Sequence, residues 1–393
     1  MNRKQLVVLV VIAVVLVGLG VLYSRREEAT YRESTRRMGE TLITNFPINN
    51  IEQLCLKQGD ATLTLAKKNE IWTVRERGDY PANFAEISDL LRKILDLKVT
   101  QPIRVGAASS LPRLQLKTGP DTNSAVVMEF KDKNGKLLKT LLLGKKHLRE
   151  SPASAPFGSG EWPDGRYVML DNDLQSVALV SDPLGSVEPR AETWLEKEFF
   201  KVEKPRSIAL VSTNATNSWK IARESETNDW RWVDAKAGEQ LDPNKVSGIA
   251  NALNNPSFVD VAASPKPAET GLDQPTTVTL ETFDGPSYTI KVGKKSGEEN
   301  YFMTVSVSGE PARERVAGKD EKPEDKEKLD KEFSERRKKL EEKIRAEKKF
   351  EPWTYMVAKY TLDPLLRDHA QLLLEKKEEP KKDEKPAEPV ENK

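Results

Sequence analysis

The chain has 393 residues, 37% of them hydrophobic and 32% charged, which suits two domains of ordinary size with apolar cores. Lys and Arg number 63 against 62 Asp and Glu, so no whole-chain charge argument favours nucleic acid. The single cysteine, Cys55, excludes an internal disulfide and a cysteine-based zinc site, and its place among Ile51, Leu54 and Leu56 reads as a buried, inert thiol.

Residues 1–23 read as an N-terminal transmembrane anchor. From Leu6 to Leu22 no side chain is charged or strongly hydrogen-bonding. At about 1.5 Å rise per residue, this run with Tyr23 reaches across a hydrocarbon core of about 30 Å. Arg3 and Lys4 open it, as basic residues open a cleaved signal. The one small-x-small site, Gly18-Leu19-Gly20, lies inside the apolar run, and the run exceeds signal length, so a retained anchor in the lipid bilayer is the better reading. Arg25, Arg26, Arg32, Arg36 and Arg37 follow it. The positive-inside rule taken literally puts the body in the cytoplasm, whereas long domains translocate largely regardless of charge. The residues alone leave the orientation open.

Residues 24–45 form a polar spacer, and a first module spans 46–200. Ile51 to Ala66 predicts two strands around Gly59-Asp60, and Ile71 to Val74 a third. Phe84 to Leu97 is the clearest helix, with Ile87, Leu90, Leu91, Ile94 and Leu95 on one apolar face. Strands follow at Ala125–Lys131 and Leu137–Leu143 around Asn134-Gly135, the second ended by Gly144-Lys145-Lys146. Residues 149–165 predict a loop. Strands at Arg166–Leu170 and Ser176–Val180, the turn Asp182-Pro183 and a helix through Trp194 to Phe199 complete the module.

The second module, 201–375, repeats these landmarks in order. Ser207–Val211 matches Ile51–Leu56, Trp230–Val233 matches Ile71–Val74, and Leu241–Leu253 takes the place of the helix. Thr277–Glu281 and Tyr288–Val292 around Asp284-Gly285 reproduce the paired strands, closed by Val292-Gly293-Lys294-Lys295. Asn300-Tyr301-Phe302-Met303 matches Arg166–Met169, and Val357 to Leu365 matches Val177 to Leu184. So many matches in one order point to a duplicated module. Trp72 and Trp232 at repeated strand positions read as core packing.

A charged insertion at about 309–351 interrupts the second copy. From Glu324 to Lys349 it lacks Gly and Pro and predicts a helix, with Leu329, Phe333, Leu340 and Ile344 forming a two-heptad apolar seam. The readings are a solvated helix projecting from the body, or a docking helix for a protein partner or for a second copy in a homo-oligomer. Residues 376–393 are a charged, Pro-rich tail with the composition of disorder.

No constellation for catalysis, cofactor or metal emerges. His147 and His369 are far apart in sequence and outside any His-Glu-x-x-His spacing, and His369 reads as a helix-surface residue. No Gly-x-Ser-x-Gly elbow surrounds a serine, and the two Gly-Lys-Lys exits lack the phosphate-loop pattern.

Several stretches together carry a resemblance. They are the anchor after Arg3-Lys4, the strand Trp72-Thr73-Val74, the step Ile94 to Leu97, the exit Leu143-Gly144-Lys145, then Tyr167 to Leu170 and Asp182-Pro183-Leu184. The chain resembles the bacterial "domain of unknown function 4340" proteins over Arg3 to about Leu374, with the charged insertion as a departure. The resemblance implies an accessory subunit of an ABC-type export system, working with permease, ATPase and gliding-motility-like auxiliary membrane subunits. It implies an inner-membrane anchor with the body in the periplasm, and it carries over no catalytic residue.

The expected fold is α+β: a transmembrane helix, two tandem repeated modules with mostly antiparallel sheets, and a charged helical insertion. The expected role is that of a membrane-anchored extracytoplasmic scaffold rather than an enzyme. The alternatives are an envelope-acting hydrolase, or a module that binds a small ligand or polysaccharide.

Overall fold

A computed structural model describes residues 16–17, 36–105, 108–121, 123–150, 161–311, 313–315 and 325–374. Apart from Leu16 and Val17, the expected anchor lies outside the described residues, as do most of the spacer, part of the insertion and the whole tail. Among the described residues no helix is long and apolar enough to cross a membrane. The fold is mixed α+β, with two antiparallel sheets and few helices, and the chain divides into units Met1–Lys197 and Glu198–Lys393.

The first unit holds β1 (Gln53–Gln58), β2 (Ala61–Lys68), β3 (Ile71–Val74), β4 (Tyr80–Pro81), α1 (Phe84–Asp96), β5 (Val99–Pro102), β6 (Val126–Lys131), β7 (Leu137–Glu150), β8 (Glu161–Leu170) and β9 (Ala178–Val180). Its sheet order is β4-β3-β2-β1-β6-β7-β8-β9-β5. The second unit holds β10 (Pro205–Val211), β11 (Trp219–Ala222), β12 (Arg231–Trp232), α2 (Pro243–Asn251), β13 (Asp260–Val261), α3 (Pro267–Thr270), β14 (Thr276–Thr282), β15 (Ser287–Ser296), β16 (Asn300–Ser308), α4 (Lys326–Glu347), β17 (Tyr355–Ala358) and α5 (Lys359–Leu362). Its order, β12-β11-β10-β14-β15-β16-β17-β13, is that of the first sheet without β4.

The ladders fix which residues correspond. Leu54 faces Leu65 and Phe130, and Ile208 faces Ile221 and Leu280 in the same way. Met128 opposite Leu141 corresponds to Val278 opposite Ile290, and all four are fully buried. Side chains alternate across a strand, so matching ladders put matching apolar sets on the core face. The helices correspond as well. Asn83 Oδ1 accepts from the amides of Ala85 (3.0 Å) and Glu86 (3.3 Å), and Asp242 Oδ1 from those of Asn244 (2.9 Å) and Lys245 (3.4 Å). These N-caps fix each helix start. Counting on from them, Ile87, Leu90 and Ile94 correspond to Val246, Ile249 and Leu253, all buried.

The ladders also correct the sequence alignment. Val168 and Met303 occupy one place, opposite Leu143 and Val292, so β8 and β16 align one residue away from the sequence match. Val180 and Val357 correspond, three residues away from it. Trp232 corresponds to Val74 rather than to Trp72, because each faces the buried partner Ile221 or Leu65. The connections between the paired strands differ in length between the units, so residue-by-residue matching drifts while the ladders stay equivalent.

Other expectations change locally. Gly-Lys-Lys does not end a strand. β7 and β15 run through it, with bulges between Leu143 and Lys146 and between Val292 and Lys295. A Cβ on Gly144 would lie 2.3 Å from the Leu114 carbonyl oxygen, and one on Gly293 2.1 Å from that of Thr270. The glycines are there because a crossing backbone touches the sheet. The expected loop 149–165 is shorter, since β7 reaches Glu150 and β8 starts at Glu161, and residues 151–160 lie outside the described residues. The expected helix from Trp194 to Phe199 is only a 3-10 turn at Ala191–Thr193. Folded structure begins before Phe46. Leu42 is fully buried, its amide donates to Leu97 O (2.7 Å), and Thr41 bridges Lys98.

Helix α4 does not project. Ile344 is buried, and Leu329, Phe333 and Leu340 are half-buried. Arg336 pairs with Asp284 in the β14–β15 turn, and Lys343 with Glu203. Near its C-terminus the buried Glu347 carboxylate accepts from Tyr288 Oη (2.7 Å) and the Lys201 amide (3.1 Å). Burial first, then the adjacent Glu347, push the Tyr288 phenol far above its ordinary range.

Candidate binding cleft

Each unit has a cleft between its helix and the outer strands of its sheet, built from corresponding positions. On the sheet side the first is lined by Ile51, Lys67 and Trp72, and the second by Pro205, Arg223 and Trp230. The correspondence is exact in the backbone: Lys67 N donates to Glu52 O (2.8 Å), and Arg223 N to Arg206 O (3.0 Å). On the helix side Ser88 corresponds to Ser247, and the others are trimmed: Phe84 to Pro243, Leu91 to Ala250, Arg92 to Asn251 and Leu95 to Asn254. Leu91 and Leu95, expected on the buried face of α1, are half-buried at this cleft. The volumes follow, about 380 Å³ in the first unit and about 790 Å³ in the second.

The outer edge differs too. In the first unit β4 pairs with β3, Tyr80 opposite Val74 and Pro81 opposite Thr73. Glu239 and Gln240 take their places in the second, as the flanking contacts fix. Ala82 bridges Leu195 and Glu196 N donates to Pro81 O (2.9 Å), while Leu241 bridges Leu373 and Leu374 N donates to Gln240 O (2.8 Å). Glu239 and Gln240 form no ladder with β12, whose one strand neighbour among the described residues is β11. The edge of β12 therefore stands open on the cleft.

Polar groups converge there. The Arg223 guanidinium lies 4.9 Å over the Trp230 ring and 5.6 Å from that of Phe283, and its Nε donates to Pro205 O (2.9 Å). His369 is not on a helix surface. It begins a 3-10 turn and stacks on Trp232, with ring centroids 4.3 Å apart. Its Nε2 lies 3.4 Å from Glu239 Oε2, within ion-pair range but without hydrogen-bond geometry. Glu239 Oε2 and Trp232 Nε1 are buried with no hydrogen-bond partner among the described residues. Such groups cost about 1–3 kcal/mol each when left unsatisfied.

The residues singled out from sequence fall elsewhere. In the α4 seam, Ile344 is buried and Leu329, Phe333 and Leu340 are half-buried, away from this cleft. His147 sits in β7, its Nδ1 2.6 Å from Asp164 Oδ1. Sequence reasoning missed the cleft. The signal was the run of large-to-small differences along the two helices, legible once the N-caps Asn83 and Asp242 are aligned.

Fold and cleft define a class: a protein of two antiparallel α+β units with one strand order, each with a helix-flanked cleft at the same end of its sheet. Residues 72–275 match the family described as Domain of unknown function (DUF4340). The match covers more than half of the chain, and the chain belongs to this family. The matched residues include the whole lining of the second cleft. No curated protein and no solved structure matches the chain.

Proposed function

We propose that this protein is a membrane-anchored extracytoplasmic scaffold, an accessory subunit of an ABC-type export system. The observation that carries the interaction role is the recurrence of one cleft in both units, widened in the second and left with an open strand edge. The apolar run from Leu6 to Leu22 supports bilayer anchoring and duplicated tandem modules supply the body, while the periplasmic side and the export partners rest on the family resemblance.

Cross-linked purification from gently solubilised membranes tests the reading. Near-stoichiometric recovery of ABC permease and ATPase subunits is the expected result, and recovery of the chain alone sinks it. Protease added to spheroplasts tests the orientation: digestion of the body is expected, and full protection reverses the assignment.

A further inference from the structure

The first unit completes the outer edge of its sheet with its own chain. Along the edge of β3, Ala82 N donates to Trp72 O (2.8 Å) and Asp79 N to Val74 O (3.1 Å), so that β4 completes the sheet. Phe84, Leu91 and Leu95 line the helix side of its cleft of about 380 Å³, Phe84 itself 62% exposed. At the same places the second unit has an unpaired edge on β12 and the smaller Pro243, Ala250 and Asn254. The second cleft thus has more room on its helix side and, beside it, a strand edge without the pairing that β4 gives β3. Trp232, only 9% exposed, keeps an indole N–H without a hydrogen-bond partner among the described residues. An open strand edge offers backbone donors and acceptors to another chain, and side-chain pockets beside it set specificity.

We infer that the second-unit cleft binds an extended peptide segment of a protein partner. The segment pairs with the edge of β12 as β4 pairs with β3. It sets a large apolar side chain against Trp230 and the trimmed face of α2. The lining carries both signs, Lys204, Arg223 and Arg231 against Asp229 and Glu239, so backbone pairing and shape do the selecting rather than net charge. The inference rests on the interaction reading only in taking the partner to be a protein. It makes the two modules unequal: the first pairs its outer strand edge with its own β4, and the second leaves that edge to the partner.

The probe is a synthetic peptide with the sequence of residues 78–86, which includes Tyr80, Pro81 and Phe84 of the first unit. Its fluorescence anisotropy is followed against the full chain in lipid nanodiscs. The comparison variant is Ala250→Leu with Asn254→Leu, which installs the residues found at those places in the first unit, with folding checked by urea unfolding. Saturable binding that weakens at least tenfold in the filled variant, and that a scrambled peptide does not show, is expected. No saturable binding up to millimolar peptide, or equal binding to a folded filled variant, overturns the inference. The assay contains no transporter, so its failure leaves the export reading standing. Conversely, peptide binding without co-purified export subunits keeps the cleft and removes that reading.

Discussion

Gly144 and Gly293 show how a residue that reads as a turn marker can serve a different purpose. Both sit where a crossing carbonyl approaches a bulged strand, too close for any Cβ. Gly144→Ala or Gly293→Ala is expected to destabilise its own unit by about 2–4 kcal/mol, because a backbone segment must shift in a packed region. Urea midpoints check this, and a change below about 0.5 kcal/mol would mean that the approach relaxes freely. Tyr288 makes a second case. Its raised phenol pKa means that the folded state holds the proton more tightly than the unfolded chain does. Its contribution is full below the unfolded value of about 10 and falls as pH rises above it. Wild type should therefore lose stability above about pH 10 more steeply than Tyr288→Phe, and parallel pH profiles would remove the assignment. Arg166 is a third. Its guanidinium is buried and donates to Gly144 O (2.9 Å) and Leu184 O (3.0 Å), fastening the Asp182-Pro183-Leu184 turn. Burial draws its pKa down to about 10, which leaves it charged at neutral pH. In the second unit Tyr301 occupies this place and its Oη donates to Asp363 Oδ1 (3.0 Å), so the repeated Asp-Pro-Leu is held by different chemistry.

Among the elements, α4 illustrates the limit of periodicity. The seam from Leu329 to Ile344 correctly indicated a helix with one apolar face, but the sequence cannot say whose surface that face covers. Its C-terminal end, at Ile344 and Glu347, is buried within the helix's own unit. Ile344→Asp is expected to cost about 2–4 kcal/mol by burying an unpaired charge. It should also raise amide exchange across Lys326–Glu347, whereas Lys343→Ala, at an exposed pair, should cost less than about 1 kcal/mol. Exchange unchanged in Ile344→Asp would mean that the helix is held by its ends alone. By contrast, α1 was legible almost residue by residue, because Ile87, Leu90 and Ile94 keep strict helical spacing after the cap Asn83.

For the whole molecule, two compact units with one strand order predict separate folding. Residues 36–197 and 198–374, produced apart, should each unfold cooperatively with denaturant. A fragment without a cooperative transition would show that its core needs the other half of the chain.

The sequence by itself determined the α+β character, the repetition of landmarks, the family and most strand positions, because alternation and turn residues are local signals that survive duplication. The tertiary structure decided the register of β8, β9 and their counterparts, since register is set by which backbones pair, and connections of different length separate these strands in the two units. It also decided the fate of α4 and the existence of the clefts. A cleft is space left between elements distant in sequence. Whether Ala250 and Asn254 are merely small or leave a void depends on what packs opposite them, and only the fold brings Trp230 and the edge of β12 there.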